Sequence, residues 1–446
     1  MTTERLTPLT DLESDALAEL ANVAMARASV SLRTMIQHEV LLSVPTVEIL
    51  APKEAGRGGW NKSRSIAFLP PLMDQTACPT RLFRSAPMFQ PDVRKGMPPR
   101  RLERGTFEQR FKSAFVDPVF APLQRELQAI ADAAWDAYDD SRKAPITRKA
   151  GAGFADPDYE IAIDWLTARD AIDDARRRHD DPAGASRILI VNGSSRTEHT
   201  CPGEMSKSWR LVEIARETFK ARPGFEIDVL DLSRTTSEFG KTIHPCKSCV
   251  STAMPLCHWP CSCYPNFALG QAHDWMNEIY PLWVAAHGIL LVTPVNWYQV
   301  PGPLKAMIDR LVCADGGNPD PSSTHGKDAA EAKALELAGW PYPRHLAGRQ
   351  FALVVHGDTV GAESLRRALA DWASDMHLML AGSKSEVDGY IGYFEPYATA
   401  HEALDRDVAF QAEVRNAALA LVEAVEAKRA GRLIEPGAQL KDPRPK

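Results

Sequence analysis

No apolar run in the chain approaches the about 18 to 20 residues that a membrane span requires, which excludes an integral helical membrane protein. The opening MTTERLTPLTDLESD is too polar for a secretory signal, so a cytoplasmic, reducing location is expected. A net charge of −6 leaves nothing global to attract nucleic acid or anionic lipid. There is no internal repeat. With 44% apolar and 25% charged residues, the 446-residue chain is neither disordered, nor a collagen or coiled-coil rod, nor a disulfide-dense mini-protein. Its length suits two or three units at about 150 residues each. The 8 cysteines are an ordinary count for this length, but Cys246, Cys249, Cys257, Cys261 and Cys263 fall within 18 residues. In a reducing compartment such a cluster points to metal or redox work rather than structural disulfides.

Apolar spacing at Leu12, Ala16, Leu17, Leu20, Val23 and Ala24 predicts a helix over 11–37, and VLLSVPTVEIL (40–50) predicts an edge strand. Residues 51–105 show no period and carry many prolines and basic residues, the pattern of a loop or a docking arm. Helical spacing returns over 107–142. A second helix is expected from Asp156 as N-cap and Pro157 as first helical residue, running to Arg178. The polar HDDPAGAS (179–186) reads as a boundary.

Beyond it the texture changes. Buried-type strands at RILIVNGSS, FEIDVLDLS, GILLVTPV and RQFALVVHGD alternate with amphipathic helices. LMLAG and GYIGYF are expected to supply a fifth strand, and ALDRDVAFQAEVRNAALALVEAVEAKRAG a closing helix. This alternation predicts an α/β fold, a doubly wound five-stranded parallel sheet with a mainly helical N-terminal extension. The expected divisions are 1–50, 51–185, 186–400 and a C-terminal helix and tail over 401–446.

Ligands of such sheets bind beyond the carboxyl ends of the strands. The loop NGSSRTEHTCPGEMSKS (192–208) offers hydroxyls, Arg196, Lys207 and a helix N-terminus, a phosphate-binding design without the GxGxxG of a dinucleotide site. A plain polar turn would carry the same residue types. The loop TPVNWYQVPGPLKAMIDR (293–310) sets Trp297 and Tyr298 just past a strand end, where they could flank a planar ring or meet a second subunit. HGDTVGAE (356–363) supplies glycines that allow close backbone approach.

Together these loops resemble the flavodoxin-like, NAD(P)H-dependent FMN reductase superfamily over about 187–400. NGSSR resembles its GSxR phosphate loop, and TPVNWYQVPGPLKAMIDR its TPxYxxxxPxxLKxxIDR flavin loop. HDWMNEIYPLWVAAHGILLVTPV resembles the family stretch that leads from the cysteine region to the flavin loop. The resemblance implies FMN as cofactor. Ser194, Ser195, Arg196, Ser206 and Ser208 would hold its phosphate, and Pro294, Val295, Asn296, Trp297 and Tyr298 would line the isoalloxazine. Gly357 and Asp358 would close the other side. The insertion TEHTCPGEM departs from the family loop. The implied activity is oxidoreduction, with electrons from NAD(P)H passing to a quinone, flavin, nitro compound or metal centre. The acceptor would be a small molecule or a protein, and a homo-oligomer is expected. No side chain need serve as acid or base, because the cofactor carries the chemistry.

The cysteines read C-x2-C-x7-C-x3-C-x-C. Iron–sulfur flavoproteins of this superfamily hold a four-iron cluster in the same loop, which would allow single-electron transfer. Here Thr252 stands at the usual third position. Four thiolates holding zinc, free thiols and a redox disulfide are the other readings. Residues 9–50, with Glu19 and Asn22 on one helical face, resemble the start of the CheC-type chemotaxis phosphatases. That implies a rival role as a redox-sensing signalling protein that recruits a partner. An ordinary packing helix fits the same residues.

Overall fold

The computed structural model describes residues 47–49, 66–68, 102–139, 147–197, 200, 206–238, 240–264 and 274–444. The chain divides into two compact units, Met1–Pro98 and Pro99–Lys446. In the first, strands β1 (Val47–Ile49) and β2 (Ile66–Phe68) pair antiparallel. β1 falls in the strand expected at 40–50, and β2 interrupts the expected loop. The expected helix over 11–37, with Glu19 and Asn22, lies outside the described residues.

The second unit opens with helices α1 (Arg104–Lys112) and α2 (Gln124–Asp139). The single helical stretch expected here is broken at Asp117, whose carboxylate accepts from Val119 N at 2.9 Å ahead of Pro118. Strands β3 (Thr147–Lys149) and β4 (Glu160–Ala162) then form a small hairpin. The expected helix start at Asp156 is therefore corrected: α3 runs Ile163–Asp180. Asp156 does cap a backbone N–H, that of Asp158 at 3.0 Å, but within the loop between β3 and β4. A short acidic side chain serves a turn as well as a helix start.

The main sheet follows. Its elements are β5 (Ser186–Asn192), α4 (Lys207–Lys220), β6 (Phe225–Asp231), α5 (Met276–Ala285), β7 (Gly288–Pro294), α6 (Gly302–Arg310) and α7 (Ala329–Leu337). Then come β8 (Gln350–Gly357), α8 (Ala362–Asp375), β9 (Met379–Leu380), β10 (Glu386–Tyr390), α9 (His401–Arg406) and α10 (Val408–Arg429). The strand order is β10-β8-β7-β5-β6 with every pairing parallel, and β9 adds two residues beside β8. Counting the five long strands along the chain, this is 5-4-3-1-2, the flavodoxin-like order whose switch point lies between β5 and β7. The fifth long strand is EVDGY, three residues earlier than the expected GYIGYF. The closing helix is split at Asp407, whose carboxylate caps α10 through Phe410 N at 2.9 Å.

Alternation along the central strands divides the core. Ile188, Ile190, Leu290, Val292, Ala352 and Val354 face α4 and α10. Leu189, Val191, Ile289, Leu291, Phe351, Leu353 and Val355 face the opposite layer, built by α3, α5, α6 and α8. β7 and β8 are covered on both faces, which is why they read as continuous apolar runs. Helix α3 belongs to this core through Ile172 and Ala175, and Trp165 Nε1 donates to Pro260 O at 2.8 Å. Among the described residues, no helix is long and apolar enough to cross a membrane.

Candidate flavin site at the sheet switch point

The carboxyl ends of β5, β7 and β8 bring three loops together. After β5 the chain turns at Gly193. A Cβ there would lie 2.6 Å from Leu304 Cδ2 and 2.9 Å from Thr293 Oγ1, so only glycine lets this loop sit down on β7 and α6. Asn192, buried, braces the turn. Its Nδ2 donates to Asp231 Oδ1 at 2.8 Å and its Oδ1 accepts from Ser194 N at 3.2 Å. Ser194 is buried, and its Oγ accepts from Arg196 N at 3.2 Å. Ser195 lends its carbonyl to Thr236 Oγ1 at 3.3 Å. Most of the TEHTCPGEM insertion lies outside the described residues.

The chain re-enters as α4, with Ser206 as N-cap accepting from Trp209 N at 3.1 Å. The first intrahelical bond is Arg210 N to Ser206 O at 3.1 Å. The N–H groups of Lys207 and Ser208 precede it, the ordinary anion-binding end of a helix. Lys207 Nζ spans to the other loops, pairing with Asp358 and donating to Ile391 O at 2.8 Å. The buried Ser208 Oγ lies 2.7 Å from His356 Nε2. Burial, and then the Lys207 ammonium, push the His356 pKa down to about 3, so the ring is neutral.

After β7, Val295 N donates to His356 O at 2.8 Å, which carries the flavin-type loop along the end of β8. Asn296 and Gln299 then exchange both backbone hydrogen bonds, at 2.8 and 2.9 Å, around a two-residue turn. Its central residues are Trp297 at φ 49° and Tyr298 at φ 65°. Positive φ at both positions is the type I′ pattern, which favours Asn and Gly. Two aromatic residues held there store strain, the kind that gathers at ligand sites. Trp297 is 95% exposed and Tyr298 57%. Tyr298 leans on the loop after β8: a Cβ at Gly361 would lie 3.0 Å from its ring. Gly357 is needed because a Cβ there would meet Val295 Cγ1 at 2.5 Å. The carbonyl of Gly357 accepts from Ile391 N at 2.8 Å, tying in the loop after β10.

The structure thus gathers the three expected loops on one edge of the sheet. Sequence reasoning had singled out neither His356 nor Tyr390, whose hydroxyl accepts from Ala362 N at 3.2 Å at the start of α8. The available signal for His356 was a polar residue after the apolar run FALVV, immediately before a glycine.

The cysteine loop lies between β6 and α5. Cys246, Cys249, Cys257, Cys261, Cys263 and Cys313 are free thiols. Cys249 interacts with Cys257 and Cys263, and Cys261 with Cys263, strongly enough to shift their thiol pKa values. The neighbouring Cys257 pushes the Cys249 thiol up to about 11, and Cys263 together with burial pushes Cys261 up strongly. Lys327 Nζ stands 4.0 Å from Cys249 Sγ. Among the described residues, no group of three or more His, Cys, Asp or Glu side chains is placed to hold a metal ion.

A parallel sheet in this order, with a hydroxyl-rich helix N-terminus and a strained aromatic turn at its switch point, defines a flavodoxin-like fold. Residues 186–387, a little under half of the chain, match the family model for NADPH-dependent FMN reductase. Several solved structures are similar to the chain. RosB with a bound 8-demethyl-8-formylriboflavin-5′-phosphate intermediate is 13% identical, over 56% of this chain and 82% of that one, with a TM-score of 0.36. An FMN-dependent NADH-azoreductase from Bacillus anthracis in complex with FMN is 13% identical, over 52% and 98%, at 0.32. A flavone reductase is 17% identical, over 56% and 66%, at 0.30. No curated protein matches the chain.

Proposed function

We propose that the protein uses FMN to pass electrons from NAD(P)H to a quinone, flavin, nitro or metal-centre acceptor. One observation carries this reading: the Trp297–Tyr298 turn is held at positive φ against the glycines of the β8 loop, beside the phosphate-type loop. The residues present fit FMN. Gly193 and Gly357 bring backbone close, Lys207 supplies charge, and Ser194, Ser206 and Ser208 supply hydroxyls. When bound, FMN would accept two electrons from reduced nicotinamide and release them to the acceptor.

The chain's own work is positional. Ser194, Ser195, Arg196, Ser206 and Ser208 would hold the phosphate at the start of α4. Pro294 to Tyr298 would line one side of the ring, and Gly357 with Asp358 the other. Lys207 balances the charge of Asp358 and keeps the β8 and β10 loops in register with α4. The exposed Trp297 also suits contact with a second copy that would cover the flavin.

The clustered thiols support a second reading, an iron–sulfur flavoprotein working by single electrons, with Cys246, Cys249, Cys257, Cys261 and Cys263 as the ligand pool. Binding a cluster would require thiols such as Cys249 and Cys261, whose surroundings hold them protonated, to ionise. An absorbance spectrum of protein purified without oxygen, with iron and acid-labile sulfide assayed on the same sample, separates the readings. A flavin spectrum without iron supports the FMN reductase reading. Broad brown absorbance with iron and sulfide supports the second. If neither chromophore appears and added FMN does not bind, both fail.

A further inference from the structure

His356 is the last residue but one of β8 and faces the first turn of α4. Its Nε2 lies 2.7 Å from Ser208 Oγ, and its Nδ1 is buried with no hydrogen-bond partner among the described residues. The two nitrogens of a neutral imidazole differ: one donates and the other accepts. An orphaned N–H deep in a protein is rarer and costlier than an under-used acceptor. The proton therefore sits on Nε2, and Ser208 Oγ is the acceptor in this pair. A hydroxyl has one hydrogen to give. With its oxygen engaged by His356, no acceptor among the described residues takes the Ser208 hydrogen, which is left for another acceptor.

The same residue governs the opposite loop. The His356 carbonyl accepts from Val295 N at 2.8 Å, the first peptide of the flavin-type loop beyond Pro294. One residue thus contacts both the phosphate end and the ring end of the site, by ring and by backbone. Ser208 stands 148 positions away in sequence, so the pair exists only in the fold.

We propose that His356 is a phosphate-positioning residue: it holds Ser208 as a hydroxyl donor to the FMN phosphate and so makes the site selective for FMN over riboflavin. This rests on the FMN reading above. The histidine does not touch the anion. Its neutral ring orients the group that does, next to the Lys207 and Ser208 N–H groups at the helix end.

The test measures the dissociation constants of FMN and riboflavin by fluorescence quenching on the flavin-stripped full-length protein. His356→Leu should weaken FMN about tenfold, the low end for a hydrogen bond to a charged group, and riboflavin less than about twofold. His356→Gln, which keeps an N–H donor, should retain the preference for FMN. Ser208→Ala should reproduce the His356→Leu loss, and the double variant should lose no more than either single variant. Equal losses for FMN and riboflavin in His356→Leu, or an unchanged ratio, would overturn the proposal, as would additive effects in the double variant. If His356→Leu does not fold, the proposal still stands or falls on Ser208→Ala: its loss must be confined to FMN. Wild-type protein that binds neither ligand would instead overturn the FMN reading itself.

Discussion

Arg310 and Asp274 form an ion pair shut away from water, with Arg310 Nη1 3.2 Å from Asp274 Oδ1 and Nη2 bonded to Oδ2. Arg310 closes the LKAMIDR helix behind the flavin-type loop, and Asp274 stands two residues before α5. Arg310 also donates to His244 O at 2.9 Å and lies 5.2 Å from the Tyr264 ring, so it fastens the cysteine loop to α6. Removing one partner leaves a buried charge without its match. Asp274→Ala should cost about 3–5 kcal/mol of stability. Urea denaturation checks this, and replacing both residues by apolar ones of similar size should recover much of the loss.

The Trp297–Tyr298 turn predicts a trade between stability and binding. Each bulky residue at positive φ costs about 1–3 kcal/mol. Trp297→Asn with Tyr298→Gly gives the turn the residues it favours. The double variant should melt at a higher temperature and bind FMN at least about tenfold more weakly, since the stacking faces are gone. Calorimetry and flavin titration on the same preparation give both halves.

Acid should weaken the fold through two stacked histidines. His179 and His287 have ring centroids 4.5 Å apart, and both titrate near 4. Burial is the chief cause, followed by Arg349 for His179 and by the neighbouring imidazole and Arg429 for His287; Asp180 works weakly the other way. Unfolded, each takes up a proton near pH 6.5. Between about 6.5 and about 4 the unfolded state therefore binds more protons. Stability is full above that window and falls as pH drops through it. His179→Phe should flatten this dependence by about one proton, read from denaturant midpoints between about pH 7 and about pH 5.

The sequence made the site loops legible because each carries its own chemistry locally: TPVNWYQVPGPLKAMIDR announces a loop and a helix within 18 residues. The central strands were legible for a similar reason, being buried on both faces. The errors arose where one local signal serves two structures. Asp156-Pro157 suits a turn as well as a helix start. The fifth strand hid because EVDGY is mostly polar and keeps Gly389 where a Cβ would meet the Phe410 ring at 2.7 Å. The His356–Ser208 pair and the Arg310–Asp274 pair could not be read at all, since partners 148 and 36 residues apart meet only after folding.

The expected boundary at 185 bears on how the chain can be cut. If the sheet domain stood alone from residue 186, deleting residues 1–185 would leave turnover intact. The packing argues otherwise. Helix α3 places Ile172 and Ala175 in the core, and Trp165 donates to Pro260 O at 2.8 Å. The segment just before it is bonded across the unit, with Ala155 N to Asp320 Oδ2 at 2.7 Å and Asp156 N to Ser322 Oγ at 3.0 Å. At the boundary itself, Arg429 Nη2 donates to Asp181 O at 2.8 Å and Gly184 O at 2.9 Å. Each large apolar side chain stripped of cover forfeits about 1.5–3 kcal/mol, so losing α3 removes an amount comparable to the whole stability of a domain. A chain of residues 99–446 should therefore express as a folded unit and bind FMN, whereas 186–446 should aggregate. Analytical gel filtration with flavin titration of the two truncations decides it. A soluble, flavin-binding 186–446 would show that α3 is an accessory layer rather than part of the core.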